Sequence, residues 1–135
     1  MAYAATLDAR AVVGFYTLSN AMLEKHRLPR AARERVPRYE SVPATLLGRM
    51  GVDRSVAGRG YGTDLVIDAA RRALFAARTA TGSSLLVVDA KSDELIGFYA
   101  RLGFTSLPEQ PRRLIYPMRK IEQLFTNDAT ERKRP

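Results

Sequence analysis

Between an apolar run and an amphipathic helix, residues 46–77 (LLGRMGVDRSVAGRGYGTDLVIDAARRALFAA) set three glycines at alternate positions, Gly58, Gly60 and Gly62, spaced by Arg59 and Tyr61. Three neighbouring residues without a Cβ let the backbone take φ > 0 and approach a ligand closely. Beyond them Leu65, Val66, Ala69, Ala70, Ala73, Ala76 and Ala77 recur at helical spacing, with Asp64, Asp68, Arg71, Arg72 and Arg78 largely on the other side. A helix therefore opens straight out of the turn. Its first N–H groups lack intrahelical partners and its N-terminus carries partial positive charge, so the turn favours an anion, typically a phosphate. Arg54 and Arg59 add cationic charge nearby. No Lys-Ser or Lys-Thr follows the glycines, which excludes a Walker-type loop, and Thr63 stands where the third glycine of a dinucleotide fingerprint belongs. On these residues alone, a phosphate-bearing ligand and a plain strand-to-helix connection both remain open.

The rest of the chain reads as support for that turn. Residues 2–7 and 11–19 are short runs rich in β-formers, separated by Asp8-Ala9-Arg10, and predict a hairpin. Residues 20–42 are polar and irregular, with Pro29 and Pro37 inside and Pro43 after them, and predict a loop with a short helix near residues 21–26. Five arginines in it (Arg27, Arg30, Arg33, Arg35 and Arg38) suit either a phosphate-tracking surface or an exposed basic loop. Residues 44–53 predict the strand that leads into the glycines, and Gly51 near its end suits a bulge or a close approach by a ligand. The nearly continuous apolar run at 84–90 predicts a strand covered on both faces and parallel to the first, completing a βαβ unit. Ser92 caps a second helix with Asp93 and Glu94 in its first turn, Leu95, Phe98, Tyr99 and Leu102 inward, and Gly103 as its stop. A last strand is expected at 113–121, where Pro117 removes a ladder donor and implies an edge or a bulge. Residues 1–125 form one domain in this reading, and 126–135 (TNDATERKRP) a disordered basic tail.

Composition bounds the function. The 135 residues, 46% hydrophobic and 27% charged, suit one globular core. The absence of cysteine excludes disulfides and thiolate metal sites, and the single His26 leaves no histidine metal cluster, so no metal is expected. No apolar run reaches the ~20 residues that span a bilayer, and the first residues lack the pattern of a secretory signal. A cytoplasmic protein with no membrane association is the simplest reading. Lys and Arg total 22 against 14 Asp and Glu, a formal charge of +8 that favours polyanionic partners.

The segment Ala57-Gly58-Arg59-Gly60-Tyr61-Gly62 resembles the acetyl-CoA-binding motif of the GNAT superfamily of N-acetyltransferases, in which a Gln or Arg and two further residues precede Gly, any residue, and Gly or Ala. Ala57 occupies the Gln/Arg position, so one polar contact of the family motif is missing. In order, VVGFYTLS, VPATLLGRMGVD, the helix after GRGYG, LLVVDA, FYARLGF and RRLIYPM resemble the GNAT toxins of bacterial toxin-antitoxin modules, which acetylate aminoacyl-tRNA. The likeness runs from about residue 3 to residue 118. It implies an α/β GNAT fold, a mixed central sheet flanked by helices, shortened at its N-terminus because that group carries a further strand and helices before this segment.

The resemblance also implies roles. Acetyl-CoA is the implied donor. Met50, Gly51 and Val52, at a strand end that splays from its neighbour in the family, would pair through their backbone with pantetheine and the acetyl carbonyl. Gly58, Arg59, Gly60, Tyr61, Gly62 and Thr63, with Arg54, would hold the diphosphate, and Ser92 stands where the family often has an Asn contacting CoA. Tyr99, in FYARLGF, falls on the family tyrosine that acts as general acid, and a phenol of pKa about 10 is protonated at neutral pH. Read without the resemblance, Tyr99 is equally a core residue, and Tyr16 and Tyr61 are alternative acids. The implied acceptor is an aminoacyl-tRNA, and the implied partners are a ribbon-helix-helix antitoxin and a second copy of the chain. The alternatives are a weak or inactive remnant serving as a binding module, for want of the acceptor wall, or an acetyltransferase acting on small amines or proteins.

Overall fold

The computed structural model describes residues 1–8, 11–38 and 40–133. Its centre is a six-stranded sheet formed by β1 (Ala2–Asp8), β2 (Ala11–Glu24), β3 (Ser41–Val52), β4 (Leu85–Asp89), β5 (Thr105–Ser106) and β6 (Arg113–Pro117), in the order β1-β2-β3-β4-β6-β5. Only β3 and β4 run parallel; every other neighbouring pair is antiparallel. The sheet is therefore mixed, with its one parallel pair at the centre. Four helices accompany it: α1 (Arg30–Arg33), α2 (Tyr61–Ala76), α3 (Asp93–Arg101) and α4 (Met118–Lys133).

One face of the sheet packs against α2, α3 and α4 through Tyr16, Leu18, Leu47, Leu65, Ala69, Ala73, Leu86, Val88, Tyr99 and Leu114. The other face buries Val42, Ala44, Leu85, Val87 and Ile115 under Leu28, Ala32 and Val36. Those last three stand four residues apart, so one side of the 25–38 segment lies on the sheet and its arginines stay outside. Arg27, Arg30, Arg33 and Arg38 are exposed and Arg35 is half-buried. β4 contributes to both faces, as its unbroken apolar run requires.

Several sequence expectations are met. The hairpin forms, although Ala9 and Arg10 of its turn lie outside the described residues. Ser92 caps α3 by accepting from Leu95 N at 3.3 Å, and Gly103 follows with φ 111°. Others are corrected. Residues 20–24 continue β2 instead of forming a loop and helix, because β3 starts early enough at Ser41 to pair with Glu24 and carries the ladder through Pro43 opposite Met22. Only Lys25–Arg27, a single 3₁₀ turn, and the short α1 are helical there. The last strand stops at Pro117 and does not reach Ile121. Pro117 pairs with Leu85 on one side, while β5 reaches only Leu114 and Ile115 on the other, so the missing donor falls beyond the end of β5 and no bulge is needed. Ile121 is instead buried on α4, which holds no glycine or proline and runs on to Lys133. The segment expected to fray thus begins as helix, with Arg134 and Pro135 outside the described residues.

The pairing of β2 with β3 contains one irregularity. Phe15 pairs with Gly51 and Thr17 with Gly48, so Arg49 and Met50 together face Tyr16. This is a β-bulge on β3. Arg49 adopts φ 41°, the one positive φ among the described residues outside glycine. The sequence suggested a bulge at Gly51; it falls one step earlier, at Arg49 and Met50, while Gly51 pairs regularly with Phe15, and the left-handed residue is an arginine.

Two substitutions test this account by thermal or denaturant unfolding. Gly103→Ala should destabilise by about 2 kcal/mol, because it strains a φ of 111° and sets a Cβ 2.6 Å from Tyr116 Cε2. Arg49→Gly should stabilise by up to about 1 kcal/mol, the relief at φ 41° outweighing the added chain entropy of glycine. The same change at Arg54 should give no gain.

Candidate functional site

β3 and β4 are paired only from Ala44 opposite Leu85 to Leu47 opposite Val88. Beyond that point β3 continues to Val52, held on its other edge by β2. The backbone of residues 48–52 therefore faces away from any β4 partner, and the two parallel strands part at their C-terminal ends, where α/β folds bind ligands. The parting opens a cavity of about 360 Å³ lined by Met50, Gly51 and Val52, with Gly48 and Arg49 beside them, Val88, Asp89 and Lys91 from the β4 side, and Leu95 and Tyr99 from α3.

Tyr99 forms the wall nearest α3. Its ring packs edge-on against Phe98 and Phe104, at centroid distances of 5.0 and 5.7 Å, and the residue is only 4% exposed. Among the described residues no hydrogen bond engages its hydroxyl, and no side-chain polar atom is sealed away without a partner. The hydroxyl is therefore open to the cavity. Burial pushes its pKa above the usual 10.0, so it holds its proton firmly at neutral pH.

The glycine turn lies between the end of β3 and α2. Asp53 accepts from Ser55 N at 2.8 Å and starts a 3₁₀ turn, Arg54–Val56, which delivers the chain to Gly58. Gly58 and Gly60 take φ 81° and 85°, and a Cβ added at either would meet nothing within 4 Å. Glycine is needed there for conformation, and the space beside it is open. Gly60 is the N-cap of α2 and no side chain caps that end, so the first-turn N–H groups of Tyr61, Gly62 and Thr63 remain to be satisfied. Gly62 lies inside the helix, 3.6 Å from Phe98 Cζ at its notional Cβ, which brings α2 close to α3.

These features join most of the residues singled out from the sequence. Arg54 and Arg59 are exposed beside the turn and do not line the cavity. Ser92 Oγ is engaged as the α3 cap. Tyr16 and Tyr61, the alternative acids, line a second cavity of about 220 Å³ between β1, β2 and α2. There the Tyr16 hydroxyl donates to Asp68, and burial followed by that carboxylate raises its pKa. Lys91 and Asp89 went unnoticed in the sequence. Asp89 accepts from Arg113 Nε and Nη2 at 2.7 and 2.8 Å, which fixes the end of β4. Their position directly after an apolar parallel strand was the available signal.

A larger groove, about 610 Å³, lies elsewhere, near the start of β3, where Glu24, Lys25, His26, Arg33, Arg38 and Glu40 surround it. Its charges are of both signs, and Glu24 is already paired with His26 and Arg27. Strand geometry, not size, marks the smaller cavity as the site. Among the described residues no group of His, Cys, Asp or Glu is placed to hold a metal, and no helix is long and apolar enough to cross a membrane.

No family model matches the chain. A tRNA-acetylating toxin of Mycobacterium tuberculosis is 35% identical over 114 residues, covering 84% of this chain and 67% of the relative. Among solved structures, AtaT complexed with acetyl-methionyl-tRNAfMet superposes with a TM-score of 0.81 at 34% identity, over 92% of this chain and 74% of that one. A tyrosine-to-phenylalanine mutant of AtaT bound to the C-terminus of the antitoxin AtaR and acetyl-CoA gives a TM-score of 0.70 at 32% identity, over 85% and 64%. The chain thus spans about two thirds of the length of such relatives. Its parted parallel strands, glycine turn and open tyrosine occur in a chain this similar to them, and the chain belongs to the tRNA-acetylating toxins of the GNAT superfamily.

Proposed function

We propose that this chain transfers an acetyl group from acetyl-CoA to the α-amino group of an aminoacyl-tRNA, as the cytoplasmic toxin of a toxin-antitoxin pair. The observation that carries the reading is the unpartnered hydroxyl of Tyr99 beside the parted ends of β3 and β4, next to an uncapped helix N-terminus. The chemistry forms one nitrogen–carbon bond and breaks one carbon–sulfur bond, and the residues divide the work.

Acetyl-CoA, when bound, supplies an activated thioester. The N–H groups of Tyr61, Gly62 and Thr63 and the α2 dipole hold its diphosphate, with Arg54 and Arg59 adding charge from the rim. The free edge of β3 at Met50, Gly51 and Val52 offers backbone donors and acceptors to an extended ligand, which completes the ladder that β4 leaves open. A donor from this edge polarises the acetyl carbonyl. Tyr99 gives its proton to the departing sulfur, the proton lost by the attacking amine passes to solvent, and the Tyr99 phenolate regains a proton from solvent, which closes the cycle. A raised pKa keeps that acid loaded throughout the neutral range.

No base is needed once the substrate amine is neutral; an ordinary α-amino group titrates near 7.7–8.0, far below a lysine, and esterification of the neighbouring carboxyl lowers it further. A net charge of +8 and the exposed arginines of the 25–38 segment, Arg27, Arg30, Arg33 and Arg38, suit an RNA acceptor. Residues 1–125 act as one catalytic domain. A ribbon-helix-helix antitoxin and a second copy of the chain are the partners that go with this function.

Two measurements test it. In isothermal titration, Gly60→Val should weaken acetyl-CoA binding at least about tenfold, since a β-branched residue at φ 85° must rebuild the turn. Circular dichroism should show α2 retained. With charged tRNA as acceptor, Tyr99→Phe should lower kcat about a hundredfold or more while acetyl-CoA affinity stays within about twofold, because the ring keeps its packing and only the proton is lost. The wild-type rate should rise as the amine deprotonates. Its alkaline loss should come only above pH 10.0, since a raised pKa delays loss of the acid's proton. Full activity in Tyr99→Phe would assign the acid elsewhere.

A further inference from the structure

The Tyr16 hydroxyl donates to Asp68 across 52 residues of sequence, joining the middle of β2 to α2. The residue is 1% exposed, so this hydroxyl has little access to water as a substitute partner. Asp68 also accepts from Arg72 Nε at 3.0 Å. The Arg72 guanidinium lies over the Tyr3 ring, 4.1 Å from its centroid, and Tyr3 stacks on Tyr16 at 5.1 Å. Four side chains from β1, β2 and α2 thus close a ring in which each holds the next.

Its position gives it significance. Tyr16 is the β2 residue that faces the bulge, with Arg49 and Met50 opposite it. The residues that leave the bulge, Gly51 and Val52, pair with Phe15 and Gly14, the two β2 residues just before Tyr16. Gly14 itself is pinned between Leu65 of α2, where a Cβ would come within 2.9 Å of Cδ1, and the Gly51 carbonyl. The β3 edge that lines the cavity is therefore aligned by β2, and β2 is tied to α2 at the bulge. Asp68 meanwhile lies eight residues after Gly60 on the helix that begins at the glycine turn.

We infer that Tyr16 and Asp68 are positioning residues for acetyl transfer, holding the β3 bulge in register so that the backbone at Gly51 and Val52 meets the acetyl end of the donor. The inference rests on the acetyl-transfer reading. Neither side chain lines the cavity in which Tyr99 stands. The tie joins the two halves of the site, since the helix that orients the diphosphate turn is bonded to the strand that sets the edge receiving the acetyl group. A bulge whose left-handed residue is an arginine carries backbone strain, and a tie at the residue opposite it, Tyr16, holds that strained register in place.

The test compares wild type with Tyr16→Phe, Asp68→Asn and Asp68→Leu, each assayed for acetylation of a charged tRNA pool, for CoA affinity by titration, and for amide exchange across residues 48–52. Wild-type transfer by itself tests the acetyl-transfer reading. If it fails, amide exchange still reports on the tie. Tyr16→Phe and Asp68→Leu should lower kcat about tenfold to a hundredfold, the scale of a displaced reacting group, with CoA affinity nearly unchanged and faster exchange at 48–52. Asp68→Asn, which keeps an acceptor oxygen for the hydroxyl, should retain most of kcat and of the protection. In every variant the alkaline limb of the rate should stay where Tyr99 sets it. Unchanged kcat and exchange in folded Tyr16→Phe would overturn the inference. So would a far deeper loss with a shifted alkaline limb, which would make Tyr16 the acid.

Discussion

A parallel strand pair that stops pairing before its strands end is a costly arrangement, and this molecule is built around one. After Leu47 and Val88 the β3 backbone has lost its β4 partner, and buried backbone polar groups without partners are avoided wherever a fold allows. The strand can remain extended there only because its other edge is paired with the long β2 from Ser41 to Val52, interrupted only by the bulge at Arg49 and Met50. That dependence explains why β2 is fourteen residues long when β4 is five. The free edge then persists as a binding surface instead of collapsing onto its neighbour. Val88 and Leu95 line the gap that results, and Tyr99 brings its hydroxyl to it.

The two sheet faces have different tasks. The face under α2, α3 and α4 holds the larger core, and both walls of the site rest on it through Leu65, Val66 and Tyr99. The opposite face is covered by a strap without long helices, anchored at Leu28, Ala32 and Val36. Its basic residues are thereby free of any packing duty.

What could be read from the sequence follows from how local each signal is. The glycine turn, α2 and the Ser92 and Gly103 boundaries of α3 are written in a few adjacent residues, as φ > 0 positions, caps and helical periodicity. β4 announces itself by continuous hydrophobicity. The extension of β2 through Asn20 to Glu24 carries no such signal, because its polar residues are strand only by pairing with the segment that starts at Ser41. The end of the chain misled for a related reason. Ile121 looked like the close of a strand, yet Pro117 marks the point where β5 no longer needs a donor and a helix takes over. The register slip that puts Arg49 at φ 41° is equally invisible, being a property of two strands aligned at once. Tyr99 was singled out through its neighbours in FYARLGF, and it lines the cavity. Lys91 and Asp89 were not, since only the parting of β3 from β4 gives the end of β4 a cavity to face.

The contrast between two tyrosines shows how environment divides roles among identical side chains. Tyr16 and Tyr99 are both buried in the same core, and burial comes first in raising both pKa values. Tyr16 has given its hydroxyl hydrogen to Asp68, so donating to anything else would mean breaking a hydrogen bond to a carboxylate held in place by Arg72. Burial works against the charge on Asp68, but the hydrogen bonds from Tyr16 and Arg72 outweigh it and keep that carboxyl ionised below its usual range. The pair is thus fixed in the state in which it binds most strongly. Tyr99 has no such acceptor and its surroundings are aromatic, so the same burial leaves its proton held, directed to the cavity and committed to no other partner. An acid that must protonate a departing sulfur needs that combination, a proton retained until a stronger base forms beside it. On the proposed reading, Tyr16 holds the sheet in register and Tyr99 serves the chemistry.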